Sequence, residues 1–398
     1  MRLTRSTQLL TVLALLIVAG CSSTAEVTAP EPEPTVEPVV EAPVGPAFMR
    51  LYFDGSGLYR EEADDKRPLM LGVRPGGVEA VAPDGQHVAF AYVAQDSARL
   101  AWVDVRNGAI RNLYAAPHNT VYTMDWANDS RALAFGWYVP DAEGNMTDGN
   151  VLIAQVGGSI ADVGCSASKM VAAWPQPDRL VVGDDRNFYG VDTEGCATRS
   201  TQARRKLHHV TFSGDGQHMA YIFRDLAYDR PNRQYVPDSS AFVARFDGSD
   251  AERIYSNDYL VRNFQWSPDG DDLLFDVKSQ QEEGRRHIAL LNIESDRIGY
   301  VIPPDATTGS TTHAQWSPSG TNIAYDWTMG GERLKAVRVF RNTKTLGPSY
   351  GPTWGWIDDT TLVIPTADGG WQALDVDSDE TRFTLPSGAR LLYAMPTN

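Results

Sequence analysis

The residues that could do chemistry are few and scattered along the chain. Gly347-Pro348-Ser349-Tyr350-Gly351 spells the Gly-x-Ser-x-Gly pattern of a nucleophile elbow. That device needs a strand, a strained turn and a following helix, with an acid and then a histidine farther along. Here Pro348 precedes the serine, Gly351-Pro352 follows it, and no histidine comes after His313, so the segment reads as a loop. The seven histidines (His87, His118, His208, His209, His218, His287 and His313) show no His-Glu-x-x-His spacing. His208 and His209 fall on a predicted strand, where alternation sends one ring to the open side and the other into packing. Each Asp-Gly pair stands where a tight turn needs it, and no Asp-x-Asp-x-Asp-Gly loop occurs. Cys165 and Cys196 lack a histidine at ligand spacing and make a poor zinc site. Neither a metal nor a cofactor is expected, and no catalytic set can be assembled from neighbours in sequence.

The amino terminus carries a sharper signal. Arg2 and Arg5 precede an apolar stretch, Leu9 to Ala19, interrupted only by Thr11. It is too short for a stable bilayer-spanning helix and suits the apolar region of a signal peptide. Val18-Ala19-Gly20-Cys21 follows and resembles the lipobox of bacterial lipoproteins. The resemblance implies cleavage before Cys21, diacylglyceryl modification of its thiol, and a signal peptide over residues 1–20. Acyl chains contribute about 0.8 kcal/mol per buried methylene, enough for a multiply acylated cysteine to hold a protein at a membrane. Ser22, rather than Asp, follows the cysteine. By analogy with lipoprotein sorting, this favours the periplasmic side of the outer membrane in a diderm cell. In a monoderm cell the same anchor sits on the outer face of the plasma membrane. Residues 21–47 are rich in Pro, Glu, Val and Thr, including Pro30-Glu31-Pro32-Glu33-Pro34. That composition predicts an extended tether reaching up to roughly 80 Å at about 3.1 Å per residue.

From residue 48 to 398 the chain repeats. Trp266-Ser267-Pro268-Asp269-Gly270 is followed by Leu273-Leu274-Phe275, and Trp316-Ser317-Pro318-Ser319-Gly320 by Ile323-Ala324-Tyr325. Phe212-Ser213-Gly214-Asp215-Gly216 precedes Met219-Ala220-Tyr221 in the same way. Weaker copies begin at Val81, Trp126, Trp174 and Trp356, so successive anchors lie 38 to 54 residues apart. That is the period of a four-stranded propeller blade. In each unit an aromatic closes one strand, Pro presets φ for a tight turn, and Gly accepts positive φ before the next strand. No sustained helical period follows residue 47, so the chain is expected to be all-β.

These motifs resemble the TolB-type propeller repeat, also found in prolyl-oligopeptidase-like enzymes. The resemblance implies a β-propeller over residues 48–398 and says little about activity. Strand-like stretches at Met49 to Phe53, Leu58 to Glu61 and Pro68 to Leu71 precede the first anchor without an inner strand of their own. The tail, Ala389 to Met395, could supply it by pairing the two ends of the chain. That closure gives eight blades; seven result if either end only decorates a neighbour. Cys165 and Cys196 fall near the outer strands of adjacent predicted blades, and an exported compartment permits a disulfide between them, two buried thiols being the alternative.

The formal charge of −16 becomes −18 once Arg2 and Arg5 leave with the signal peptide. A field of that sign discounts nucleic acid, and discounts the membrane except through the lipid anchor. Long linkers between second and third strands are expected at Pro140–Gly149, Asp225–Ser239, Lys278–Arg286 and Thr328–Glu332, all on one rim. One of them interleaves Tyr228, Arg230, Arg233 and Tyr235, residue types enriched at interface hot spots. The function this favours is a non-catalytic protein-binding or scaffold propeller in the cell envelope. The alternatives are a binder of carbohydrate or peptidoglycan fragments, and an enzyme whose site is assembled from scattered channel residues.

Overall fold

The computed structural model describes residues 47–63, 65–163, 169–176, 178–183, 188–193, 195–201, 207–229, 234–246, 248–255, 259–279, 285–302, 309–339 and 342–397. They form eight four-stranded antiparallel sheets and, among the described residues, no helix. Blade 2 spans Val73–Pro117, blade 3 Val121–Asp162, blade 4 Met170–Thr201, blade 5 Leu207–Tyr255, blade 6 Tyr259–Tyr300, blade 7 Ser310–Pro348 and blade 8 Gly355–Leu385. Blade 1 takes its outer three strands from Ala47–Leu71 and its inner strand from Arg390–Thr397. The chain is an eight-bladed β-propeller.

The ends close the ring as their sequences imply. The strand Ala47–Phe53 pairs antiparallel with Arg390–Thr397, from Ala47 opposite Thr397 to Phe53 opposite Arg390, with one bulge between Leu51 and Tyr52. Covering the last open edge in this way removes the row of unpaired backbone groups that an open sheet presents.

The core lies between blades rather than within one. Middle strands such as His87–Ala94 and Ala132–Pro140 read as nearly continuous apolar runs because both of their faces are covered. Met49, Leu51 and Phe53 of blade 1 pack with Val88 and Phe90 of blade 2. Leu274 and Ile288 of blade 6 pack with Tyr325 and Ala336 of blade 7 in the same manner. Inner strands run from a hairpin face, where second and third strands join, to a turn face, where the Ser-Pro-Asp-Gly turns lie.

Two polar devices tie the apolar seams. The serine of each turn is buried: Ser267 Oγ donates to Asp269 Oδ1 at 2.5 Å and accepts the Asp272 N–H at 2.9 Å, while Gly270 takes φ of +84°. Ser213 repeats this with Asp215 and His218. Anchor tryptophans reach across the seam to the residue before the preceding anchor. Trp126 Nε1 donates to the Ala80 carbonyl at 3.0 Å, Trp316 Nε1 to Gln265 at 3.4 Å and Trp356 Nε1 to Gln315 at 3.2 Å. Trp174 is equally buried, but among the described residues its Nε1 has no partner.

Those two tryptophans give a matched test. Trp126→Phe and Trp174→Phe both remove indole area, but only the first leaves a half-buried carbonyl without its donor. Urea unfolding should therefore show Trp126→Phe more destabilising, by about 1–2 kcal/mol. Equal losses would mean the seam bond contributes nothing net.

Candidate functional site

Blades 5, 6 and 7 carry equivalent irregularities on their inner strands, where two residues oppose one. The register skips from His208 to Thr211, from Arg262 to Gln265 and from Thr312 to Gln315. In blades 6 and 7 the first extra residue is in the left-handed region, Asn263 and His313 each at φ +56°. Asn and His are among the non-glycine residues that tolerate this conformation, and within a strand a partner is needed to hold it. What holds both is a buried aspartate on the second strand.

In blade 7 that aspartate is Asp326, only 2% exposed. Its Oδ2 lies 3.0 Å from His313 Nδ1, and its Oδ1 accepts the Ser349 hydroxyl at 2.7 Å. Lys335, itself 1% exposed, forms an ion pair with Oδ1 and donates to the Gly351 carbonyl at 3.1 Å. An ionised carboxylate only accepts, so Nδ1 of His313 carries the proton and Nε2 is the nitrogen left for other partners. Burial pushes the Asp326 carboxyl up, but the bonds from His313, Lys335 and Ser349 outweigh it and hold the group below the usual carboxylate range.

In blade 6 the equivalent is Asp276, opposite Arg262 as Asp326 is opposite Thr312. Asn263 Nδ2 donates to Asp276 at 2.6 Å, and the backbone N–H of His313 donates to it from the neighbouring blade. The residue across the third strand differs. Asp276 faces Ile288 where Asp326 faces Lys335. With no internal cation opposite, burial dominates and raises the Asp276 carboxyl, despite opposing contributions from Asn263, His313 and Arg286. Arg262, Lys278 and Arg286 surround it along a shallow depression.

Ser349 lies immediately after the outer strand Asn342–Pro348, with no helix behind it. Its hydroxyl is bonded to the aspartate, whereas a triad needs the histidine between serine and acid. The Asp326 network therefore positions His313 without activating Ser349. At the turn face, Phe212, Phe264, Trp266, Trp316 and Trp356 line a broad concavity. Two of its three indole N–H groups are engaged in the seams.

The residues expected to carry function are not brought together by the described part of the chain. Cys21, Cys165, Arg230 and Arg233 lie outside the described residues, as do the side chains of Cys196, Tyr228 and Tyr235. The backbone places Cys196 on the outer strand of blade 4 and sets Tyr228 directly opposite Tyr235. The stretch Asp225–Ser239, expected as a loop, is largely paired strand, with His218–Asp229 and Gln234–Arg245 in unbroken register. Thr328–Glu332, expected to be long, closes in a two-residue Gly330-Gly331 turn. Asp276, Asp326 and Lys335 went unnoticed in the sequence, although an Asp directly after Leu-Leu-Phe275 and Ile-Ala-Tyr325 is the visible trace.

No protein-family model matches the chain, and no curated protein sequence matches it. Among solved structures it is similar to dipeptidyl peptidase 4 of Porphyromonas gingivalis, at 14% identity over 83% of this chain and 56% of that one, with a TM-score of 0.54. It is also similar to the dihydro-heme d1 dehydrogenase NirN in complex with DHE, at 16% identity over 90% and 76% of the two chains, TM-score 0.51. TolB from Acinetobacter baumannii shares 11% identity over 78% and 65%, TM-score 0.38. At these identities the likeness is one of fold, and enzymes stand among the proteins that share it.

The two aspartates should respond oppositely to neutralisation. Asp326 lies below its unfolded value, so its stabilisation is present above about pH 4 and is lost as pH falls through the folded value. Asp326→Asn also leaves Lys335 buried without its carboxylate and should cost about 3–5 kcal/mol at pH 7. Asp276 lies above its unfolded value, so its ionisation opposes folding, and the penalty disappears as pH falls below the unfolded value. Asp276→Asn should be neutral or stabilising at pH 7, by on the order of 1 kcal/mol. Urea midpoints at pH 7 and at about pH 2 check both, and a destabilised Asp276→Asn at pH 7 would contradict the assignment.

Proposed function

We propose that the protein is a lipid-anchored cell-envelope propeller that works as a non-catalytic binding module and captures a protein partner by strand addition. One observation supports this above the others. The second and third strands of blade 5 are each twelve residues long, against eight in blade 2. Beyond Phe223 and Ser240, among the described residues, they pair only with each other. Among the described residues the result is a two-stranded ribbon on the hairpin face with no further strand on either outer edge.

The two edges are not equivalent. Pro237 has no N–H and sits opposite Leu226, so this pair makes no ladder hydrogen bonds and its backbone groups face outward. The missing donor blunts the edge that carries Pro237 and leaves Arg224–Asp229 as the edge able to accept a partner strand. Ala47 pairs with Thr397 at the end of an inner strand, which is the turn face. The carbohydrate reading has less behind it, because the tryptophans at the turn face are half-buried and largely engaged in blade seams.

Leu226→Pro removes one outward-facing donor without breaking the ribbon's own ladder. In intact cells carrying a photocrosslinker at Ala227, the wild-type chain should give a discrete protein adduct that Leu226→Pro abolishes. An adduct of unchanged yield in that variant would refute strand addition.

A further inference from the structure

The surface of blade 6 that meets blade 7 carries three cations in a chain whose net charge is −16. Arg262 stands opposite Asp276 on the sheet, and Lys278 follows two residues later on the same face. Arg286 immediately precedes His287, the partner of Val277, and so comes level with Lys278. Alternation along a strand puts Arg262, Asp276, Lys278 and Arg286 on one face, and they line a single depression with Val277. Arg262 is exposed; Lys278 and Arg286 are half-buried.

Among the described residues the charges in the depression do not balance: Asp276 is the one carboxylate lining it, and its oxygens already accept from Asn263 and from the backbone N–H of His313. Among the described residues, Arg262 and Lys278 form no ion pair. Like charges placed across a sheet repel, so this arrangement weakens the blade unless a counter-charge arrives.

Blade 7 shows the balanced version of the same design. There the position across from the aspartate is Lys335, fully enclosed, and the positions matching Arg262 and Lys278 are Thr312 and Thr328. Blade 6 has moved its cations from the enclosed position to the rim, where they face solvent at the hairpin mouth. Two guanidinium groups and an ammonium converging on a concave spot match the planar, bidentate demands of oxyanions.

We propose that this depression on blade 6 is an anion site that takes the oxyanion, carboxylate or phosphate, of a small ligand entering from the hairpin face. It is separate from the ribbon of blade 5 and does not depend on strand addition. His313 links it to the interior, since its backbone bonds Asp276 and its ring bonds Asp326.

Titration calorimetry on the full chain in detergent, at low ionic strength, tests the site with inorganic phosphate and with succinate as separate probes. Saturable binding of at least one probe is expected, and its preference identifies the oxyanion. Arg262→Gln and Arg286→Gln should each weaken that binding at least tenfold. Arg297→Gln, on the exposed outer strand of the same blade, should leave it unchanged. Thermal melts verify folding, and Arg262→Gln is expected to melt no lower than wild type because it relieves repulsion. Absence of saturable binding by both probes, or an equal loss in Arg297→Gln, would overturn the proposal.

Discussion

A four-stranded sheet with apolar residues on both faces cannot persist alone; each face must be covered by another sheet of the same kind. That demand organises this molecule. Phe90 of blade 2 is enclosed because Phe53 of blade 1 stands against it, and Tyr325 of blade 7 because Leu274 of blade 6 does. A row of such sheets is satisfied only when the last covers the first. The pairing of Ala47–Phe53 with Arg390–Thr397 is therefore part of the core's completion as much as a clasp, since Leu391 packs with Tyr52 and Val363 across the final seam.

Apolar cover is unselective about register, and the polar contacts supply what it lacks. A buried turn serine accepts one particular N–H, and an indole N–H selects one carbonyl on the neighbouring blade. Such bonds add modestly to stability, but sliding a blade by one residue would break them and leave buried groups unsatisfied. Side chains at the seam between blades 3 and 4 act likewise. Asp125 accepts the Trp174 N–H at 2.6 Å and Thr123 accepts that of Val171 at 2.8 Å. The repeat thus encodes its own spacing through residues that look ordinary in a strand.

Much of this architecture was legible. The Trp-Ser-Pro-Asp-Gly units mark turns through the φ preferences of Pro and Gly, which act locally and survive any tertiary context. The aromatic and apolar runs after them mark middle strands, and the unpaired ends at Met49 and Leu391 imply closure. The site was less legible for a physical reason. Asp326, Lys335, His313 and Ser349 come from four separate stretches of one blade, and only the inner-strand bulge brings His313 within 3.0 Å of Asp326. A bulge of this kind has no composition of its own. The stretch Asp225–Ser239, expected as a loop, carries Pro237 within a paired strand. An edge strand tolerates proline wherever the missing N–H would face outward.

The two aspartates show how a repeat acquires a site without leaving the fold. Both blades need something to hold the left-handed residue at the bulge, and a carboxylate on the second strand does that for Asn263 and His313 alike. Once buried, a carboxylate must be compensated. Blade 7 compensates Asp326 from inside with Lys335, which fixes the network and closes it to visitors. Blade 6 places Ile288 there, and its cations stand farther out, where solvent or a solute can reach them. A single change from an enclosed lysine to an isoleucine shifts positive charge from the core toward the rim. Divergence between structurally equivalent positions, rather than any motif, is thus where a ring of similar blades becomes distinctive. The seam between blades 6 and 7 shows such a divergence, Ile288 standing where Lys335 stands in the next blade.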